Sequence, residues 1–225
     1  MPGRVAGTEP WLSSPLSTTY TAGIIAGVEL LIIRHGLPVR IDDAQGPADP
    51  ELSEIGHEQA RRVADWLHHE KITAVYTSPM RRAVQTAAPL GEAVGMEPIV
   101  DDEVAEFDRG QHFYVPIEEL KAARDPRYEA LMRGEHVLSE VDPFTFREVV
   151  TVAIERIIEA NPGCTVAIVC HGGVINAFAS HVLGITYPLF FQPTYTSVNR
   201  FLASSAGHRS VASLNEAGHL HGTRT

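Results

Sequence analysis

Cys164-Thr165-Val166-Ala167-Ile168-Val169-Cys170-His171-Gly172-Gly173 is the most telling stretch of this chain. Five apolar or β-branched residues in a row, closed by a histidine and two glycines, read as a buried strand running into a tight loop. Val28–Ile33 (VELLII) is built the same way and ends at Arg34-His35-Gly36. Ala74–Thr77 is a second strand, ending at Ser78-Pro79. Between and after these runs the spacing turns helical. Ser53 is placed to cap a helix over Glu54–Glu70, with Ile55, Val63, Trp66 and Leu67 as core candidates. Ser78 as N-cap with Pro79 at the first helical position predicts a helix to about Val94, stopped near Gly95. Pro98–Val100 reads as a third short strand and Phe146–Ala160 as a helix closed by Asn161-Pro162-Gly163. Val174–Leu183 is a further helix. Ser197–Ala203 and Ser210–Asn215 are a last pair of strands turning near Gly207.

Strand alternating with helix predicts an α/β fold, a three-layer α/β/α arrangement around a mostly parallel central sheet. The segment 101–144 breaks the rhythm. It is acidic and aromatic, carries Pro116, Pro126 and Pro143, and reads as a short lid insertion. Residues 1–27, rich in Pro, Ser, Thr and Gly at their start, read as a loosely ordered N-terminal arm, and 28–225 as one domain.

Composition limits the function. The chain has 225 residues, 44% hydrophobic and 20% charged, as a globular protein should. Its 18 Lys+Arg against 28 Asp+Glu leave a net charge of −10, which argues against nucleic acid or an anionic membrane as partner. An anionic small molecule remains open, since a local Arg/His pocket can oppose the global field. The two cysteines, Cys164 and Cys170, lie on one run and cannot pair, so a reducing cytoplasm is the expected compartment. Eleven histidines invite a metal reading, but none has ligand spacing with other donors. His68-His69 read as facing different ways on a helix, and His219 and His221 as part of a mobile C-terminus. No phosphate-cradling glycine loop or dinucleotide fingerprint occurs. Neither metal nor cofactor is expected.

In open α/β sheets ligands bind beyond the carboxyl ends of the strands. That rule gathers Arg34-His35-Gly36, Ser78-Pro79 and His171-Gly172-Gly173 at one crevice. Arg82 joins them from the first turn of the helix after Ser78, where free N–H groups also favour anions. Each cluster alone has a plain reading: loop-lining residues, a solvated helix arginine, a strand-end histidine.

Together they resemble the histidine phosphatase superfamily, in its phosphoglycerate mutase-like branch. The resemblance runs from about Val28 to His219. It rests on LLIIRHG at 30–36, LSEIGHEQA at 52–60, SPMRRAVQTA at 78–87, EFDRG at 106–110 and VCHGGVINAF at 169–178. It implies His35 as the nucleophile that becomes phosphorylated. Arg34, Arg82 and His171 would grip the phosphoryl oxygens, His171 as a cation when phosphate is bound. Glu106 would be the acid that protonates the leaving group. A neutral imidazole attacks phosphorus well when its other nitrogen is held by a hydrogen bond. Guanidinium forks fit phosphate oxygens. A carboxyl that must stay protonated needs partial burial. Asp108, Asp102 and Glu103 are alternatives for that acid within the same segment.

The chain departs from the family after the RHG triplet, with Leu37-Pro38-Val39-Arg40-Ile41-Asp42 where a small hydroxyl residue and an Asn are usual. Gln111-His112-Phe113-Tyr114 likewise replaces the common Trp-Glu-Gly after Gly110. Arg40 could serve as a substrate cation or lie on the surface. The expectation is a phosphomonoester phosphatase acting on a phosphorylated small molecule, with a homodimer possible through Phe113, Tyr114 or Tyr128. The alternatives are a phosphoglycerate mutase-type transfer, for which Lys121, Arg124 and Arg127 would be the extra cations, and a non-catalytic phosphate-ligand binder.

Overall fold

The computed structural model describes residues 27–132 and 141–222. The predicted arm therefore lies outside the described residues except for Gly27. Six strands form one sheet in the order β3-β2-β4-β1-β5-β6: β1 Val28–Arg34, β2 Ile72–Thr77, β3 Ile99–Val100, β4 Thr165–Cys170, β5 Val198–Ala203 and β6 Arg209–Glu216. The first four run parallel, and β5 and β6 add an antiparallel edge. The predicted mostly parallel sheet is thus present, and the last hairpin turns at Gly207 with φ 88°.

β1 and β4 have no polar face because helices cover both sides. Leu30, Ile32, Val166 and Ile168 pack under α5 (Pro143–Ala160) and α6 (Gly172–Leu183). Leu31, Ile33, Ala167 and Val169 pack under α1 (Glu54–Leu67) and α2 (Arg81–Val94). Alternate residues of the same strand therefore feed two cores, giving the three expected layers. The predicted lid region holds a 3-10 turn at Asp102–Val104, an irregular run, and two short helices, α3 (Ile117–Ala122) and α4 (Pro126–Met132). The loop after β1 is tied to it by a bridge between Ile41 and Tyr114.

Four local readings change. α1 buries Val63 and Leu67, but Ile55 and Trp66 are 45% and 38% exposed. Trp66 instead stacks on His219, whose ring centroid is 5.1 Å away, and His219 Nε2 lies 2.9 Å from Thr196 Oγ1, so this part of the C-terminus is docked. The rings of His68 and His69 lie 3.5 Å apart rather than facing different ways. Ser78 does not cap a helix. Its N–H still donates to Val169 O as a strand residue would, and α2 begins at Arg81, whose N–H donates to Asp49 Oδ1.

Candidate active site

Register builds the site. β1 and β4 are parallel neighbours with Arg34 beside Cys170, and the N–H of His35 donates to Cys170 O at 2.9 Å. His35 and His171 therefore leave the sheet at the same level, with ring centroids 5.1 Å apart. Thr77 pairs with Val169, which brings Ser78 to that level from the other side of β4. The loop after β1 is held by side chains of the two helices below it. Thr86 Oγ1 accepts from Gly36 N–H at 2.9 Å, Gln59 Oε1 from Leu37 N–H at 2.8 Å, and Ser53 Oγ donates to Leu37 O at 2.8 Å. Ser53 also caps α1 by accepting from Gly56 N–H. The backbones cross so closely that a Cβ on Gly56 would lie 2.1 Å from Leu37 O.

His35 is 3% exposed, and its Nδ1–H donates to Gly36 O at 2.7 Å. That bond fixes the tautomer and leaves the lone pair on Nε2. Burial, followed by the charges of Arg82 and Arg34, holds its pKa well below the usual histidine value. His171 is fully buried behind it, with Nε2 2.7 Å from Ser78 Oγ. Burial, then Arg82, His35 and Arg34, lower its pKa too, so the protein's own groups favour a neutral ring. A phosphate dianion beside it would reverse that field and favour the cation.

Arg34 donates from Nη1 to Glu118 Oε1 at 2.7 Å and to Pro193 O at 2.6 Å, and its guanidinium lies 3.8 Å from the centre of the Tyr195 ring. Arg82, 1% exposed, donates from Nη2 to Asp108 at 2.9 Å. Arg34 Nε, Arg82 Nε and Nη1, and His171 Nδ1 are buried without a hydrogen-bond partner. An unpaired buried polar group costs about 1–3 kcal/mol, so four in one place, three of them arginine donors, mark a site built for an acceptor-rich ligand.

Glu106 completes the group. It accepts from Gly173 N–H at 2.8 Å and from Phe107 N–H at 3.2 Å. Burial, then the charge of Asp108, push its pKa up to about 7 despite those bonds. Gly173 leaves room for that carboxyl, since a Cβ there would lie 2.2 Å from Glu106 Oε1.

A cavity of about 300 Å³ opens over these residues, and Arg34, His35, Arg82 and Glu106 reach its wall while His171 stays behind it. Of the alternative acids, Asp108 lines the cavity and pairs with Arg82, whereas Asp102 and Glu103 are drawn off to Arg109 and Arg156. Arg40 is half exposed and tied to Asp42 and Glu119. Phe113 and Tyr114 line the cavity. Tyr128 is not among the residues that line it. Lys121, Arg124 and Arg127 are exposed.

Sequence reasoning passed over Glu118, Gln192, Tyr195 and Asn176. Glu118 is held by Arg34, Gln192 Nε2 at 3.1 Å and Tyr195 Oη at 2.6 Å. Burial opposes its charge, but Arg34 and these bonds keep its pKa below the usual carboxylate range. Asn176 pins the strap 189–193 by donating to Phe191 O and accepting from Phe190 and Phe191 N–H. An Asn on the buried face of the apolar run GGVINAFAS was a signal for it. Glu118, 84 residues from Arg34, gave none. Among the described residues no group of three or more His, Cys, Asp and Glu could hold a metal ion, and no helix is long and apolar enough to cross a membrane.

Comparison with known proteins agrees with this geometry. Bifunctional protein Rv2228c of Mycobacterium tuberculosis is 29% identical over 97% of this chain, which spans 61% of that protein's length. Phosphoserine phosphatase 1 of Hydrogenobacter thermophilus is 27% identical over 73% of this chain and 81% of its own. The crystal structure of a phosphoserine phosphatase from Entamoeba histolytica, in complex with 3-phosphoglyceric acid, shares the fold with a TM-score of 0.67 at 24% identity, covering 86% of this chain and 99% of that one. The family model of the histidine phosphatase superfamily (branch 1) matches residues 30–216, and this chain belongs to that superfamily.

Proposed function

We propose that the protein is a phosphomonoester phosphatase working through a phosphohistidine on His35. One observation carries this reading: partnerless buried donors of Arg34 and Arg82, with the partnerless Nδ1 of His171, surround a neutral histidine whose tautomer leaves Nε2 free to attack. The phosphoryl group would sit where it satisfies those donors. His35 Nε2 forms the P–N bond as the ester P–O bond breaks, and protonated Glu106 gives its proton to the departing oxygen. Water then attacks phosphorus, Glu106 takes back a proton, the P–N bond breaks, and phosphate leaves with His35 neutral again. Positioning and charge supply most of the acceleration, as phosphoryl transfer requires.

Glu106 suits both halves, because a pKa of about 7 leaves both protonation states populated at neutral pH. The surface charge of −10 would slow the approach of anions from afar, so capture depends on the local arginines. The test is phosphate release from p-nitrophenyl phosphate in the presence of a chelator. Turnover by the wild type that His35→Ala abolishes is expected. Equal activity of the two, or none in either, overturns the reading. Interconversion of 2- and 3-phosphoglycerate without phosphate release would establish a mutase instead.

A further inference from the structure

The cavity above His35 is lined by two unlike sets of residues. Arg34, His35 and Arg82 form the charged and polar set. The other set is apolar and includes Phe107, Phe113, Val115, Leu131, Leu189 and Phe191. Among the described residues lining the cavity, Arg34 and Arg82 are the only Lys or Arg, and each already faces a carboxylate, Glu118 and Asp108. The rim amides do not offset this. Gln192 is engaged with Glu118, Asn176 is saturated by backbone groups, and Gln111 adds a neutral group. Arg40 and Arg127 are outside the lining and are paired with acids of their own.

The geometry points to a substrate class: phosphomonoesters of an uncharged, apolar alcohol or phenol, in preference to the phosphates of hydroxy acids. This rests on the phosphatase reading above. A leaving group bearing a carboxylate would have to shed water against aromatic and aliphatic carbon, and among the described residues lining the cavity no Lys or Arg beyond those that hold the phosphoryl group is there to receive it. Burying an anion without a cation is strongly unfavourable. An alkyl or aryl group gains from the same wall, by about fourfold in binding per buried methylene.

Matched esters separate this from intrinsic reactivity. The full chain would be assayed with ethyl, butyl and hexyl phosphate, and with the phosphate ester of 4-hydroxybutanoate, whose leaving oxygen resembles that of butyl phosphate. The inference expects kcat/KM to rise from ethyl to butyl, and butyl phosphate to exceed the carboxylate ester by at least about tenfold. It expects Leu189→Arg, which puts a cation in the apolar wall, to narrow that ratio. Retained inhibition by inorganic phosphate reports that this variant is folded, and Val115→Lys repeats the test at a second wall position. A carboxylate ester turned over as well as butyl phosphate, or a ratio that neither variant moves, overturns the inference while leaving the phosphatase reading standing. No turnover of any ester overturns both.

Discussion

His35 and Glu106 are both buried, and burial drives them in complementary directions. It keeps the imidazole neutral and the carboxyl protonated, because in each case the charged form is the one that loses solvation. This gives a pH dependence with a definite sign. Activity in the first step needs neutral His35 and protonated Glu106. kcat/KM should therefore fall on the alkaline side with an apparent pKa near 7, the value to which Glu106 is raised. Glu106→Gln should remove that limb and lower kcat by about 10²–10⁴-fold. A pH–rate profile of the two proteins on one ester decides it, and an alkaline limb that survives in Glu106→Gln assigns the acid elsewhere. Glu118 yields a second residue-level expectation. Glu118→Gln keeps acceptors for Arg34 and Tyr195 but removes a negative charge 2.7 Å from the guanidinium. Inorganic phosphate should then inhibit more tightly, by several-fold, as competition assays would measure.

The helices and strands carry these residues through bonds that are themselves specific. Thr86, Gln59 and Ser53 hold the loop after β1 from beneath, so the sequence runs around them matter as supports as much as for chemistry. Ser53→Ala should cost about 1 kcal/mol for the lost cap, and more for the lost bond to Leu37 O, read by urea unfolding. Gly173→Ala places a methyl group on Glu106 and should depress kcat far more than it lowers Tm. Much of this was legible beforehand. The strands were plain in apolar runs such as Ile32–Ile33 and Val166–Val169, and three of the five candidate residues, Arg34, His35 and His171, stood at their ends. What escaped was what depends on distant partners. Ser78 looked like a cap, but its backbone is still bonded to β4. Trp66 looked like core, but its partner is His219, more than 150 positions away. Glu118 was invisible, since nothing near it in sequence announces Arg34.

Across the whole molecule, the site sets how stability responds to acid. His35, His171 and His219 have folded pKa values below that of a free histidine, His219 at about 4 through burial and then Arg62. The unfolded chain takes up protons on these rings as the pH drops below about 6.5, before the folded chain does. Their contribution is thus present above 6.5 and lost as the pH falls. Glu106 opposes them: its raised pKa stabilises the folded state at low pH, and that contribution is lost as the pH rises towards about 7. Unfolding in urea should show stability declining below pH 6.5, and declining more steeply in Glu106→Gln. The central claim remains that His35 carries the phosphoryl group between the two half-reactions, and trapping tests it most directly. The enzyme would be mixed briefly with a phosphomonoester, quenched in alkali to preserve phosphohistidine, digested and analysed by mass spectrometry. One phosphoryl group on the peptide containing His35, absent in His35→Ala, is the predicted result. Phosphate turnover with the label on another residue, or with none trapped at any quench time, would contradict it.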